Sequence, residues 1–156
     1  MKRTGPLTFV TLLALLIAAG ALPSQAQTKA QAGPETRSAV MHKHPQCGCC
    51  DRYAEILRNN SIDVRIELTY RLALLKRRLG VRKPLDGCHT LEIDGYVIEG
   101  HVPVAQIERL LRERPAIIGL SLPGMPRGSP GMSGEKEEPF TILTIEDGPS
   151  RVYAVE

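Results

Sequence analysis

The feature that most constrains this chain is a cluster of cysteines at residues 47–50, which read Cys-Gly-Cys-Cys. Three of the four cysteines in the sequence lie within these four positions. A short apolar run, residues 39–41, precedes the cluster, and a segment with helical spacing begins at Asp51. A strand, a tight loop of thiols and the start of a helix together predict a site that holds a soft metal or carries out thiol chemistry.

Residues 1–26 are predicted to be an export signal. Lys2 and Arg3 supply its positive start, residues 7–22 are apolar, and a small-residue cleavage pattern ends at Ala26. An uncleaved membrane anchor is the alternative, but the apolar stretch is short for a span of about 20 residues. We therefore expect a periplasmic or secreted protein that has no membrane span once the signal is cleaved.

Residues 27–37 are polar and contain a Gly-Pro pair, which predicts a flexible tether ahead of one domain at residues 38–156. Loss of the signal removes two cations, so the formal net charge falls from +3 to +1. The sequence has no Trp, only two Phe, and no basic stretch interleaved with aromatic residues. Nucleic acid is therefore not expected as a partner.

The apolar periodicity predicts the element order β-α-β-α-β-β-α, which is the core of a thioredoxin-like α/β fold. A hairpin turn is marked by Asp94-Gly95. A Gly/Pro/Met-rich loop at residues 119–134 and a C-terminal β-hairpin are expected to follow, and the charged run at residues 76–78 is expected to be solvated. The predicted strands are residues 38–41, 62–68, 90–93 and 96–99, and the predicted helices are residues 51–59, 72–79 and 103–115.

The cysteine loop satisfies two motifs that favour different functions. Cys47 and Cys50 form C-x-x-C, in which a helix N-terminus lowers the pKa of the first thiol and favours disulfide exchange. Cys47 and Cys49 form C-x-C, and this added thiol is a metal donor that two-cysteine exchange does not need. Gly48 lets the backbone turn so that neighbouring sulfur atoms converge. The third thiol therefore favours metal binding.

The fourth cysteine, Cys88, precedes His89 and the third predicted strand. In a thioredoxin-like fold this position faces the start of the first helix, and redox members carry a cis-proline where His89 falls. Four converging thiolates and an imidazole suit Cu(I) or Zn²⁺. The spacing does not choose between these metals. Three thiols in four residues would crowd a single ion, however, and thiolates that bridge more than one Cu(I) relieve the crowding.

Four segments carry a family resemblance: residues 41–50 with the cysteine loop, Gly-Cys-His-Thr at 87–90, Asp-Gly-Tyr-Val-Ile-Glu-Gly-His-Val-Pro at 94–103, and the Gly/Pro/Met-rich stretch 122–132. In this order they resemble an exported metal-binding family that includes the CopG-type copper-resistance proteins. The resemblance covers about residues 38–156. It implies a thioredoxin-like domain whose C-x-C-C and C-H cysteines bind copper, and an association with copper resistance.

Residues and resemblance together predict an exported copper-binding protein that contributes to copper tolerance. Copper ions, and other copper-handling proteins of the envelope, are the expected partners. Cu(I) is the expected ion, in one or more copies, with zinc less favoured and copper redox cycling as a variant. The expected ligands are Cys47, Cys49, Cys50, Cys88 and His89.

Three alternatives stay open. The first is a periplasmic thiol-disulfide oxidoreductase that uses Cys47 and Cys50. The second is a structural zinc site with four tetrahedral ligands. The third is a pair of structural disulfides, as expected of four cysteines outside the cytosol, although crowded thiols join distant segments poorly.

Five other soft donors have less direct roles in this interpretation. His42 and His44 are expected at the surface or beside the site rather than as ligands. His101 is expected to be a partly exposed turn residue. Met125 and Met132 lie in the Gly/Pro-rich loop, where packing is the favoured role and copper uptake the alternative.

Overall fold

The computed structural model describes residues 1–2 and 36–156. Residues 3–35, which carry the predicted export signal and most of the predicted tether, lie outside the described residues. Within the described part of the chain, no helix combines the length and the apolar character needed to cross a membrane.

The described chain has three α-helices and seven β-strands, together with a short 3₁₀ turn at Lys83–Leu85. The predicted mixed α/β class and the order β-α-β-α-β-β-α are confirmed, whereas the thioredoxin-like assignment stays a prediction. The elements are β1 Arg37–Lys43, α1 Gly48–Asn59, β2 Ile62–Leu68, α2 Leu72–Arg78, β3 His89–Ile93, β4 Tyr96–Gly100, α3 Val104–Glu113, β5 Gly119–Leu122, β6 Thr141–Ile145 and β7 Val152–Val155.

All seven strands form one mixed sheet in the order β2-β1-β3-β4-β5-β6-β7. Strand β1 is parallel to β2 and antiparallel to β3, and β3 is antiparallel to β4. The register pairs Lys43, the last residue of β1, with His89, the first residue of β3. The loop that leaves β1 and the residue that enters β3 therefore meet at the same end of these two neighbouring strands.

Helix α1 packs on the sheet through Cys50, Tyr53, Ala54 and Leu57, all of them buried. Their spacing of i, i+3, i+4 and i+7 gives a helix one apolar stripe. Full burial of a side chain such as Leu57 contributes about 1.5–3 kcal/mol. Cys50 is thus part of the core, because the apolar stripe that fixes the helix also fixes this cysteine.

Strand β5 lies inside the stretch that the glycines and prolines predicted to be loop, and that part of the prediction is wrong. A Cβ built on Gly119 would lie 1.7 Å from the carbonyl oxygen of Val97 on β4. Glycine at this position therefore allows two strands to approach closely, and it does not mark a loop. The loop itself begins after β5, and the C-terminal hairpin of β6 and β7 is confirmed as an antiparallel pair.

The basic run in α2 also differs from its predicted solvated position. Arg77 and Arg78 are exposed, but Lys76 is only 4% exposed. Its ammonium group is paired with Glu99 of β4, a carboxylate with no exposed surface. A buried lysine needs such a partner because an unpaired charge in the interior is costly.

Candidate metal centre

Helix α1 begins inside the cysteine loop, three residues before the predicted start at Asp51. Cys47 occupies the N-cap position, and Cys49 and Cys50 lie in the first turn. The backbone N–H of Cys47 donates to the carbonyl of His44 at 3.0 Å, which closes the turn ahead of the helix. The three cysteines therefore lie at the positive end of the helix dipole, beside its free N–H groups.

The register of β1 and β3 places Cys88 against this first turn. The Sγ atom of Cys88 lies 3.5 Å from that of Cys50 and 4.0 Å from that of Cys49. The Sγ atoms of Cys47 and Cys49 are 3.5 Å apart. All four sulfur atoms lie within 4.8 Å of one another, so the structure brings the four cysteines together.

Two of these sulfur atoms are bonded to each other. Cys47 and Cys50 form a disulfide, while Cys49 and Cys88 are free and half-buried. The bridge closes the C-x-x-C motif rather than joining distant segments, so the four cysteines form no framework of two long-range bridges. The geometry described here is therefore that of the oxidised pair, and two electrons are needed to obtain four thiols.

Two histidines extend the cluster on the side of Cys88. The Nδ1 atom of His89 lies 3.5 Å from the Cys88 sulfur, and its Nε2 atom has no hydrogen-bond partner among the described residues. The Nε2 atom of His101 lies 3.1 Å from the same sulfur. Both imidazoles are fully buried. Besides the four cysteines, a second group of residues could therefore hold a metal ion. It consists of Cys50, Cys88, His89 and His101.

The position of His101 contradicts the expectation of a partly exposed turn residue. The predicted hairpin already indicates that His101 lies near Cys88. Thr90 pairs with Glu99, and extending this antiparallel register by two residues sets Cys88 opposite His101. Treating the histidine as the end of a strand missed this continuation. The residue is buried because it faces the cysteine cluster across the two strands.

A backbone carbonyl fixes the tautomer of His101. Its Nδ1 atom is 2.6 Å from the carbonyl oxygen of Pro130, which can only accept a hydrogen bond. The proton therefore lies on Nδ1, and the lone pair of Nε2 points at the Cys88 sulfur. Metal-binding histidines are oriented in this way, with the second ring nitrogen donating to a carbonyl or carboxylate.

Burial keeps the Cys88 thiol and the two imidazoles uncharged in the absence of a metal. Burial and the neighbouring Cys49 raise the pKa of the Cys88 thiol to about 12. Burial, with the adjacent His101 and Lys76, holds the pKa of His89 well below its usual range, and burial also lowers the pKa of His101. At neutral pH both imidazoles are uncharged, which is the form that binds metals.

The Gly/Pro/Met-rich loop covers the first turn of α1. The side chain of Arg52 donates to the carbonyl of Gly131 at 2.9 Å. Gly131 has φ +81°, and a Cβ there would lie 2.8 Å from the backbone nitrogen of Tyr53. Met125 is exposed and Met132 is half-buried, and the roles of both remain predictions.

The remaining histidines lie apart from this arrangement. His42 bridges Glu67 and Glu92 on the neighbouring strands, with nitrogen–oxygen distances of 3.3 and 2.8 Å. His44 packs against the ring of Tyr70 at a centroid distance of 5.1 Å. Neither belongs to the two donor groups around Cys88.

Two solved structures are similar to this chain over most of its length. One, described as "Copper resistance protein copG- Form 2", is 36% identical, with a TM-score of 0.73 and coverage of 78% of this chain and 99% of that chain. The other, "Copper resistance protein copG- Form 1", is 36% identical, with a TM-score of 0.72 and coverage of 78% and 98%. A family described as "Protein of unknown function, DUF411" matches residues 85–132. Comparison with curated protein sequences gives no significant match.

The fold and the site define a mixed α/β protein with a partly buried centre of sulfur and imidazole donors at one end of the sheet strands. The chain belongs to the family of the CopG copper resistance proteins. The resemblance carried by the cysteine loop and the three later motifs is thereby confirmed.

The pairing of the cysteines predicts a specific pattern of labelling. Oxidised protein that is unfolded at acidic pH and alkylated should label at Cys49 and Cys88, and a second reagent added after reduction should label Cys47 and Cys50. Peptide mass spectrometry distinguishes the two labels. Protein that is reduced first should take the first label at all four positions. A second label on Cys49 or Cys88 in the oxidised sample would contradict the pairing.

Proposed function

We propose that this protein is an exported copper-binding protein that contributes to copper tolerance. The observation that carries the proposal is the convergence of four cysteine sulfur atoms from two segments, with two neutral imidazoles beside them. Thiolates are soft ligands that select Cu(I), and imidazole suits copper as well. The solved proteins to which the chain is 36% identical are described as copper resistance proteins.

The spacing of the sulfur atoms supports metal binding by the reduced form. Metal–thiolate bonds of about 2.3 Å in a tetrahedral site separate neighbouring sulfur atoms by about 3.8 Å. The free Cys49 sulfur and the Cys50 sulfur lie 4.0 and 3.5 Å from that of Cys88, which brackets this value. Little rearrangement of the backbone is therefore required once the disulfide is reduced.

The proposed ligands are the five predicted from the sequence, with His101 added. The two donor groups share Cys50 and Cys88. Shared thiolates favour more than one Cu(I), since each shared sulfur can bridge two ions, and the unpartnered Nε2 atom of His89 offers a further donor. Binding displaces the proton of Cys88, so uptake should release protons. The proposed set is Cys47, Cys49, Cys50, Cys88, His89 and His101.

Three finer points belong to the same proposal. The predicted export signal supports a periplasmic or secreted location. Other copper-handling proteins of the envelope would deliver or receive the ion. Copper that cycles between Cu(I) and Cu(II) at the same ligands is the variant in which the protein also transfers electrons.

Anaerobic titration with Cu(I) tests the proposal. Reduced protein in competition with a Cu(I) chelator should bind more than one equivalent, because two overlapping donor groups share two thiolates. Cys88→Ser, which removes a shared sulfur, should abolish the stoichiometry above one. His101→Ala should weaken binding about 10- to 100-fold. His44→Ala, a histidine outside both donor groups, is the matched control and should titrate as wild type.

Two results, one from this titration and one from metal analysis with chelation, would contradict the proposal. The first is the absence of tight Cu(I) binding by the reduced protein. The second is one firmly held zinc ion, with unfolding on chelation and no copper uptake, which is what a structural zinc site requires.

A second candidate function, thiol-disulfide exchange, is favoured by the disulfide between Cys47 and Cys50 at the start of α1. Exchange enzymes use such a pair, with the first thiol activated by the helix N-terminus. The same observation fits a copper protein in its oxidised state, and the free thiols at Cys49 and Cys88 have no part in simple two-cysteine exchange.

Reduction of insulin by metal-free protein separates the two functions. Copper binding as the main role predicts turnover close to that of a Cys47→Ser variant, which lacks the exchanging pair. Robust turnover by wild type, unchanged in Cys49→Ser, would favour the oxidoreductase instead.

A further inference from the structure

A buried ion pair lies directly behind the segment that carries Cys88 and His89. Lys76 on α2 and Glu99 on β4 pair with each other, and neither is more than 5% exposed at its side chain. Thr90 joins them: its hydroxyl donates to Glu99 at 2.5 Å and accepts from the Lys76 ammonium at 3.1 Å. The predicted ligand set uses none of these three side chains.

The pair also binds the backbone on both sides of Cys88. The carboxylate of Glu99 accepts the N–H of Gly87 at 2.9 Å. The ammonium of Lys76 donates to the carbonyl of His89 at 3.2 Å. One partner therefore holds the residue before Cys88, and the other partner holds the residue after it.

Glu99 connects the two strands that supply the donors around the Cys88 sulfur. It lies on β4 two residues before His101, and it reaches across to the entry of β3. Gly87 passes so close to this strand that a Cβ on it would lie 2.3 Å from the backbone nitrogen of Gly100. The contact fixes the separation between the Cys88 segment and the His101 segment.

A buried pair of this kind is weak evidence for stability. Removing two charges from water is costly, and replacing a buried ion pair by well-packed apolar side chains is often neutral or stabilising, so stability alone does not account for the pair. Here every remaining side-chain hydrogen bond of the pair goes to residues 87–90, the segment that presents Cys88 and His89. That distribution indicates a role in placing the segment.

We infer that Lys76 and Glu99 are positioning residues for the metal centre, which hold Cys88 and His89 against the first turn of α1. They act through the backbone of residues 87–90 and bind no metal themselves. As a role in metal binding, the inference rests on the proposed function, whereas the placement of the Cys88 sulfur is a property of the metal-free chain.

Disulfide trapping in copper-free protein measures that placement. In a Cys47→Ser background, Cys50 is freed, and its sulfur and that of Cys49 lie 3.5 and 4.0 Å from Cys88. Oxidation by diamide should then join Cys88 to α1, as detected by peptide mass spectrometry. Adding Lys76→Met with Glu99→Leu, which removes both charges together, should slow this trapping at least fivefold.

Cu(I) affinity of the otherwise wild-type chain is the second readout. The Lys76→Met/Glu99→Leu double variant should bind Cu(I) about 10- to 100-fold more weakly, the range found when groups that orient metal ligands are lost. Circular dichroism and thermal unfolding establish that it is folded. Glu99→Gln, which keeps the shape of the side chain, serves if the double variant does not fold. Ile145→Val, a core change on β6 two strands away from β4, is the control for a loss of stability alone.

The outcomes separate this inference from the proposed function. Trapping at the parent rate in a folded variant would overturn the inference, and so would slower trapping with Cu(I) affinity unchanged. Equal effects from Ile145→Val would also overturn it, because they would show a general consequence of lower stability. Wild-type protein that fails to hold Cu(I) would refute the proposed function, while the trapping rates would still decide whether the pair places Cys88.

Discussion

The site depends on the antiparallel pairing of β3 with both β1 and β4. Pairing with β1 sets His89 beside Lys43, so that Cys88 lies against the cysteine loop that leaves β1. Pairing with β4 sets the same cysteine opposite His101. A single strand thus brings together donors that are about forty residues apart in sequence. A shift of one residue in either register would turn Cys88 to the other face of the sheet.

Burial then determines the chemical state of these donors. The imidazoles of His89 and His101 have lowered pKa values because water is excluded from them, and the Cys88 thiol has a raised one for the same reason. Without a metal, the Cys88 thiol and the two imidazoles are therefore uncharged at neutral pH. A cation that binds thiolate would replace the thiol proton, which makes occupancy dependent on pH and on the oxidation state of Cys47 and Cys50.

Much of this arrangement follows from local patterns in the sequence, and the exceptions share a cause. The helices and the two hairpins follow from periodicity and turn residues. The convergence of Cys88 on the cysteine loop was expected from the thioredoxin-like fold that this element order suggests. Lys76 was misplaced because its partner, Glu99, lies on a different element that only the folded chain brings near. The sequence does not predict strand β5 because a glycine usually indicates a loop. Gly119 is instead needed where two strands approach closely. His101 required extending a hairpin register beyond its predicted end.

X-ray absorption at the copper edge, on reduced protein loaded anaerobically with Cu(I), tests the central claim most directly. Four cysteines gathered from two segments predict a first shell dominated by sulfur, with a nearby second copper and a nitrogen contribution that is reduced in His101→Ala. Cys88→Ser should remove the copper neighbour, because it removes a sulfur shared by both donor groups. A first shell of nitrogen and oxygen alone, unchanged by Cys88→Ser, would contradict the account.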